Sequence, residues 1–265
     1  MSDTEFGSLF AQRLLLLISF VFTLKQGHDR AIRVTRSIRM TMLCLYRAFV
    51  PFSHPEVLMN SENMRTGGQL VSDALQAQGA DSVFCVPGES YLEVLDALYD
   101  ARNAIRVISC RHEHGASNMA EAYGKLTGKP GICMVTRGPG ACNASIGVHT
   151  AFQDSTPMIL FIGQVGRQHL GREAFQEVDY VQMFTPLAKA VEQIEAAQDV
   201  PAAVARAYRT AMSGRPGPVV LALPEDMLRE ECETPDVEAV VIESKQPGVG
   251  EMERLHHILG DSKRP

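Results

Sequence analysis

From residue 67 onward, short runs of unbroken apolar residues alternate with stretches in which apolar residues recur about every three to four positions, the spacing of one helix face. "GGQLVSDALQAQG" predicts a helix over residues 67–79, with Gly79 as its C-terminal cap. The later helical stretches cover residues 91–101, 116–128, 141–153 and 201–214. Between them, "DSVFCV", "IRVISC", "GICMV", "PMILFIG" and "PVVLALP" predict strands over residues 81–86, 105–110, 131–135, 157–163 and 218–224. Residues 164–200 follow neither period. A strand that is apolar on both faces needs cover on both faces. The alternation therefore predicts an α/β fold, a doubly wound and mostly parallel sheet with helices on both sides.

The pattern fails at both ends. In residues 1–63, "RLLLLISFVFTLK" has an apolar core well short of the ~18 residues that suggest a membrane span. No small-residue cleavage site follows it, and Asp3, Glu5 and Asp29 are out of place in a transit peptide. The leader reads as a targeting segment or as sequence upstream of a natural start at Met59 or Met64, and it is assigned no domain. Residues 64–230 form the predicted domain. Residues 231–250 are acidic and punctuated by Pro and Gly, as a linker is, and residues 251–265 begin a further helix.

Charge and cysteine content narrow the class. A net charge of −6 argues against nucleic-acid or anionic-membrane partners, which need a basic surface. The six cysteines include no CxxC pair, and Cys85, Cys110 and Cys133 lie in apolar runs. This usage predicts a reduced, cytoplasmic protein without structural disulfides.

The candidate chemistry lies in the loops. Pro87–Ser90, Arg111–Gly115, Thr136–Gly140 and Gly163–Gly166 each follow the carboxyl end of a predicted strand, the edge at which open parallel sheets hold ligands. In "RHEHG" the carboxylate of Glu113 stands where a strand gives way to a helix. Acids favour the first turn of a helix, where the amide ends are partly positive. In a partly apolar cleft the same carboxylate would hold or share a proton near neutral pH. His112 and His114 could bind a metal as an HxH pair, but no second ligand cluster lies near them in sequence. "TRGPGACN" brings glycine turns to a helix start, which suits a ring or anion approaching the backbone, though it is neither GxxxxGK[ST] nor GxGxxG. In "VPGES", Gly88 would admit a ligand, while Glu89 and Ser90 could equally cap the next helix.

Taken in order, "RHEHGA", "AEAYGKLTGKPGICMVTRGPGACNASIGVHTAFQDSTPMILFIGQ", "GREAFQEVDYVQMFTPLAKAV" and "SGRPGPVVLALPEDM" resemble the pyrimidine-binding domain of thiamine-diphosphate-dependent enzymes, in particular the acetolactate synthase group. The resemblance covers about Met64 to Leu228 and implies a flavodoxin-like domain. In that family, the glutamate at the position of Glu113 hydrogen-bonds N1′ of the cofactor's aminopyrimidine. It favours the tautomer that removes the thiazolium C2 proton, so that the cofactor can attack a 2-keto acid.

The resemblance carries further residues. It places Val86, Pro87, Gly88 and Glu89 in the loop beside the pyrimidine, Pro139 and Asn143 around the ring, and Phe175 and Gln176 on the reaction side. Where acetolactate synthases typically carry a second glycine this chain has Glu89, whose charge would crowd or repel an anionic keto acid. The family holds the diphosphate through Mg²⁺ on a separate domain marked by a GDG motif, which this sequence lacks. Flavin, where used, sits mainly on a middle domain, whose opening residues 251–265 resemble. The implied role is the pyrimidine half of a carboligase or decarboxylase in a homo-oligomer, inactive by itself and completed by a diphosphate-binding domain. The alternative is a catalytically silent α/β module serving assembly or regulation.

Overall fold

The computed structural model describes residues 64–242 and 247–264, so the leader and the question of its start lie outside the described residues. Among the described residues the strands are β1 (Arg65–Thr66), β2 (Ser82–Cys85), β3 (Arg106–Ser109), β4 (Gly131–Val135), β5 (Met158–Gln164), β6 (Ala190–Gln193), β7 (Pro218–Pro224) and β8 (Glu231–Cys232). The helices are α1 (Gly67–Ala77), α2 (Leu92–Asp100), α3 (Glu113–Thr127), α4 (Pro139–Asp154), α5 (Tyr180–Phe184), α6 (Val200–Met212), α7 (Glu225–Arg229) and α8 (Val249–Asp261). Six strands form one sheet in the order β3-β2-β4-β5-β7-β6, every pairing parallel.

Alternation along the strands divides the core in two. Ile132, Met134, Ile159 and Phe161 face one side, where α1, α2 and α6 bury Leu70, Leu75, Leu98 and Val204 against them. Cys133, Val135, Leu160 and Ile162 face the other, covered by Ala116 and Ala120 of α3, Ala144 and Val148 of α4, and Phe184 of α5. The doubly wound, parallel α/β fold is thus present. Burial pushes the Cys85 thiol up to about 11 and the Cys133 thiol well above its ordinary value, so both are inert apolar fillers.

The alanines and glycines of the second face serve close approach. A Cβ added at Gly147 of α4 would lie 2.5 Å from Ser117 Oγ of α3, and one added at Gly124 would lie 2.2 Å from the carbonyl oxygen of Pro157. These contacts set α3 tightly against its neighbours, which fixes the position of its first residue, Glu113.

Three findings differ from the periodicity. Residues 164–200 contain β6 and α5, hidden because β6 is a half-buried edge strand reading "AVEQ". β3 is the opposite edge and is largely exposed, although "IRVISC" reads as a buried strand. The segment read as a linker is tied to the domain at its start: β8 pairs antiparallel with β1, Arg65 binds Asp236 and the Thr234 carbonyl, and Gln78 binds the backbone of Glu238 and Val240. α8 follows with every residue exposed.

At the ends of β5 and β7, Arg167 joins Asp226 at 2.9 Å and Glu230 at 2.5 Å. Burial pushes the Asp226 carboxyl up, but hydrogen bonds from the Arg167 backbone N–H and guanidinium outweigh it and leave the group below its ordinary value. The stability this contributes is present above the unfolded carboxylate range and is lost as pH falls through the folded value. Urea midpoints should therefore fall below about pH 4, and the acid limb should flatten in Arg167→Met.

Candidate functional site

β2 is flanked by β3 and β4, and the chain turns outward to β3 before returning to β4. The order therefore reverses between β2 and β4, and a crevice opens at the carboxyl ends of strands on either side of such a reversal. The loops leaving these two strands, residues 86–90 and 136–140, meet there.

Glu113 enters this crevice as the first residue of α3. His112 caps the helix, its Nδ1 accepting from the His114 N–H at 3.2 Å, which accounts for His112 in structural terms. Among the described residues no three of His, Cys, Asp and Glu gather into a metal-binding group. Among the described residues the half-buried Glu113 carboxylate is held on one side, where Asn143 Nδ2 donates to Oε2 at 2.9 Å. Its other oxygen, Oε1, lies 3.5 Å from where a Cβ at Gly140 would stand. Oriented by Asn143 and bordered by a residue without a side chain, the carboxylate can offer Oε1 to the edge of a flat nitrogen ring. The residues present thus fit an aminopyrimidine.

The surrounding loops are braced. Gly88 has extended backbone, and a Cβ there would come within 2.6 Å of Thr136 Cβ, so proximity rather than conformation requires glycine. Ser90 Oγ and Thr136 Oγ1 lie 2.9 Å apart. Val86 donates its N–H to Met134 O, and Pro87 is exposed beside it. Gly138 has φ +46°, and its N–H donates to Tyr180 Oη at 2.8 Å. Pro139 opens α4 at the N1 position, where its missing N–H costs no hydrogen bond. Gln176 adopts φ +62°, uncommon for a residue with a side chain, and its backbone packs on Gly138. Phe175 differs: the residue is 74 % exposed.

Glu89 is not a lone charge. Its Oε1 accepts from Arg137 Nη2 at 2.7 Å, and Arg137 Nη1 donates to Glu225 Oε2 at 3.2 Å. The repulsion expected of an isolated Glu89 is therefore compensated by Arg137, a residue that no motif singles out. The signal was available in "TRGPG", where one large cation stands among small residues. Tyr180 gave no such signal. Its ring is 2 % exposed, and burial pushes its hydroxyl up to about 12. Tyr180→Phe would leave the buried Gly138 N–H without an acceptor, at an expected cost of about 1–3 kcal/mol by urea unfolding.

Comparison with known proteins bears on the domain as a whole. Residues 65–183 match the family described as "Thiamine pyrophosphate enzyme, N-terminal TPP binding domain". The domain belongs to that family. The acetolactate synthase large subunit of Lactococcus lactis is 43% identical over 166 residues, 63% of this chain and 29% of that protein. The isozyme 3 large subunit of Escherichia coli is 37% identical over 208 residues, 76% of this chain and 36% of that protein. The chain thus carries an acetolactate synthase-like N-terminal domain of a thiamine-diphosphate-dependent enzyme, and it spans about a third of the length of these relatives. Among the described residues, no helix is long and apolar enough to cross a membrane.

Proposed function

We propose that this chain supplies the pyrimidine side of an acetolactate synthase-like carboligase or decarboxylase acting on a 2-keto acid. The observation that carries the reading is the Glu113 carboxylate, anchored through Oε2 by Asn143 at the reversal point of the sheet and bordered by Gly140 at Oε1. Thiamine diphosphate, when bound, supplies the carbon nucleophile and electron sink for cleaving and forming bonds next to a carbonyl. Glu113 holds or shares a proton at Oε1 and presents it to the ring edge. Asn143 keeps the carboxylate turned, Gly140 puts no side chain beside Oε1, and Gly88 and Gly138 let the flanking loops pack closely on Thr136 and Gln176. Phe175 and Gln176 line the side from which substrate arrives.

The diphosphate and its Mg²⁺ belong to a second domain, and the working enzyme is a homo-oligomer or a complex that brings the two domains together. Flavin has no assigned residues in this domain. Mixing the chain with the part of an acetolactate synthase large subunit that follows its N-terminal domain tests the reading. Exchange of the thiazolium C2 proton should accelerate far above that of either component alone. Equal exchange in mixture and components would favour the catalytically silent module.

A further inference from the structure

Arg137 is 9 % exposed and lies at the rim of the crevice, in the loop that also carries Gly138 and Gly140. Two of its three nitrogens are engaged: Nη1 with Glu225 at 3.2 Å and Nη2 with Glu89 at 2.7 Å. The third, Nε, is buried and has no hydrogen-bond partner. Nε and Nη2 share one edge of the guanidinium, the edge a carboxylate bridges with both oxygens in the strong, paired geometry. Glu89 occupies only half of that edge.

Glu89 is also weakly held. Its side chain is 66% exposed, whereas that of Glu225 is 30% exposed. Only the carboxylate end of this part-buried pair faces solvent, so Glu89 can turn into water while Arg137 stays in place. The loop bearing Glu89 is fixed in place independently by the Ser90–Thr136 contact and the packing of Gly88 on Thr136, so moving the Glu89 side chain does not require moving the loop.

We propose that Glu89 is a displaceable cover on Arg137, and that Arg137 takes the carboxylate of an anionic substrate, a small 2-keto acid, at this rim. An incoming carboxylate that bridges Nε and Nη2 satisfies the buried Nε that Glu89 leaves unpaired. The displaced Glu89 side chain, already 66% exposed, turns its carboxylate into solvent, where the charge is screened. Arg137 thereby becomes a specificity-determining residue that favours a carboxylate over a neutral carbonyl compound. The proposal rests on the proposed function for its choice of substrate, but its test does not use the cofactor.

The full chain is titrated with pyruvate, and with acetone as the neutral control, while chemical shifts are followed by NMR. Glu89→Gln should bind pyruvate about fivefold more tightly than the unaltered chain, the scale of removing one competing carboxylate whose own end faces solvent. Acetone should show no such gain. Adding Arg137→Met to Glu89→Gln should abolish the gain, and adding Arg137→Lys, which keeps charge but lacks the fork, should remove most of it. If Arg137→Met does not fold, the lysine double variant decides. Pyruvate binding that is unchanged or weaker in Glu89→Gln, or a gain that survives loss of the arginine fork, overturns the proposal. Because no thiamine diphosphate is present, a failure here leaves the C2 exchange result standing, and the reverse also holds.

Discussion

Glu113→Gln, assayed with a diphosphate-binding domain supplied, is expected to slow C2 proton exchange by roughly 10²–10⁴-fold, the scale of losing a positioned acid–base group. Glutamine keeps the volume and can still accept from Asn143 Nδ2, so the 2.9 Å contact need not be lost. It removes the ability of Oε1 to hold a proton toward the ring. The fold should survive, because Glu113 is half-buried at a helix start whose N-terminal cap is His112, not Glu113 itself. Near-native circular dichroism with exchange reduced to the level of the separate components is the expected pair of observations. If Glu113→Gln unfolded the domain while Glu89→Gln abolished exchange, the roles of these carboxylates would be reversed.

The largest expected effect on stability comes from Gly131→Ala. Gly131 opens β4 in the middle of the sheet, and a Cβ there would stand 1.8 Å from the carbonyl oxygen of Ala120 and 2.6 Å from its carbonyl carbon. Both atoms belong to the α3 backbone, so no side chain can rotate away. Either α3 shifts, which loosens its packing on α4 and displaces Glu113, or the strand does. A loss of about 3–5 kcal/mol is expected, at the upper end for overpacking because the backbone itself must move. Gly79→Ala is the control: its φ of +73° imposes backbone strain, but nothing lies within 4 Å of the added atom. That substitution should cost about 1–2 kcal/mol. Equal urea midpoints for the two variants would contradict the close approach of α3 to β4.

These two positions show what the sequence discloses and what it withholds. Five strands of the main sheet are legible because they are apolar runs between helical periods, and the loops that follow them predict the edge where the crevice lies. β6 escapes because an edge strand half open to solvent need not be apolar, and its "AVEQ" carries no period long enough to register. The exposure of β3 escapes for a related reason: an apolar run reports a tendency to be buried, not the presence of a neighbour to bury it.

At the site, Glu113 is legible from its placement at a strand-to-helix junction. Its partner Asn143 lies 30 residues away and follows from the resemblance to known enzymes; the contact itself is visible only once α3 and α4 pack side by side. The compensation of Glu89 by Arg137 spans 48 residues and depends on two loops meeting at the reversal of strand order. Local chemistry is written in local sequence, whereas charge balance is a property of the assembled edge.

The central claim is that this domain holds the pyrimidine of thiamine diphosphate while another domain holds its diphosphate. Titration calorimetry with thiamine diphosphate and Mg²⁺ tests it most directly. The chain alone should show little binding, because ring contacts of this size hardly exceed the ~4–15 kcal/mol cost of immobilising a ligand. Addition of the downstream part of an acetolactate synthase large subunit should produce tight binding that Glu113→Gln weakens only modestly. Micromolar binding by the chain alone would contradict the account, since a diphosphate site would then lie within the chain itself.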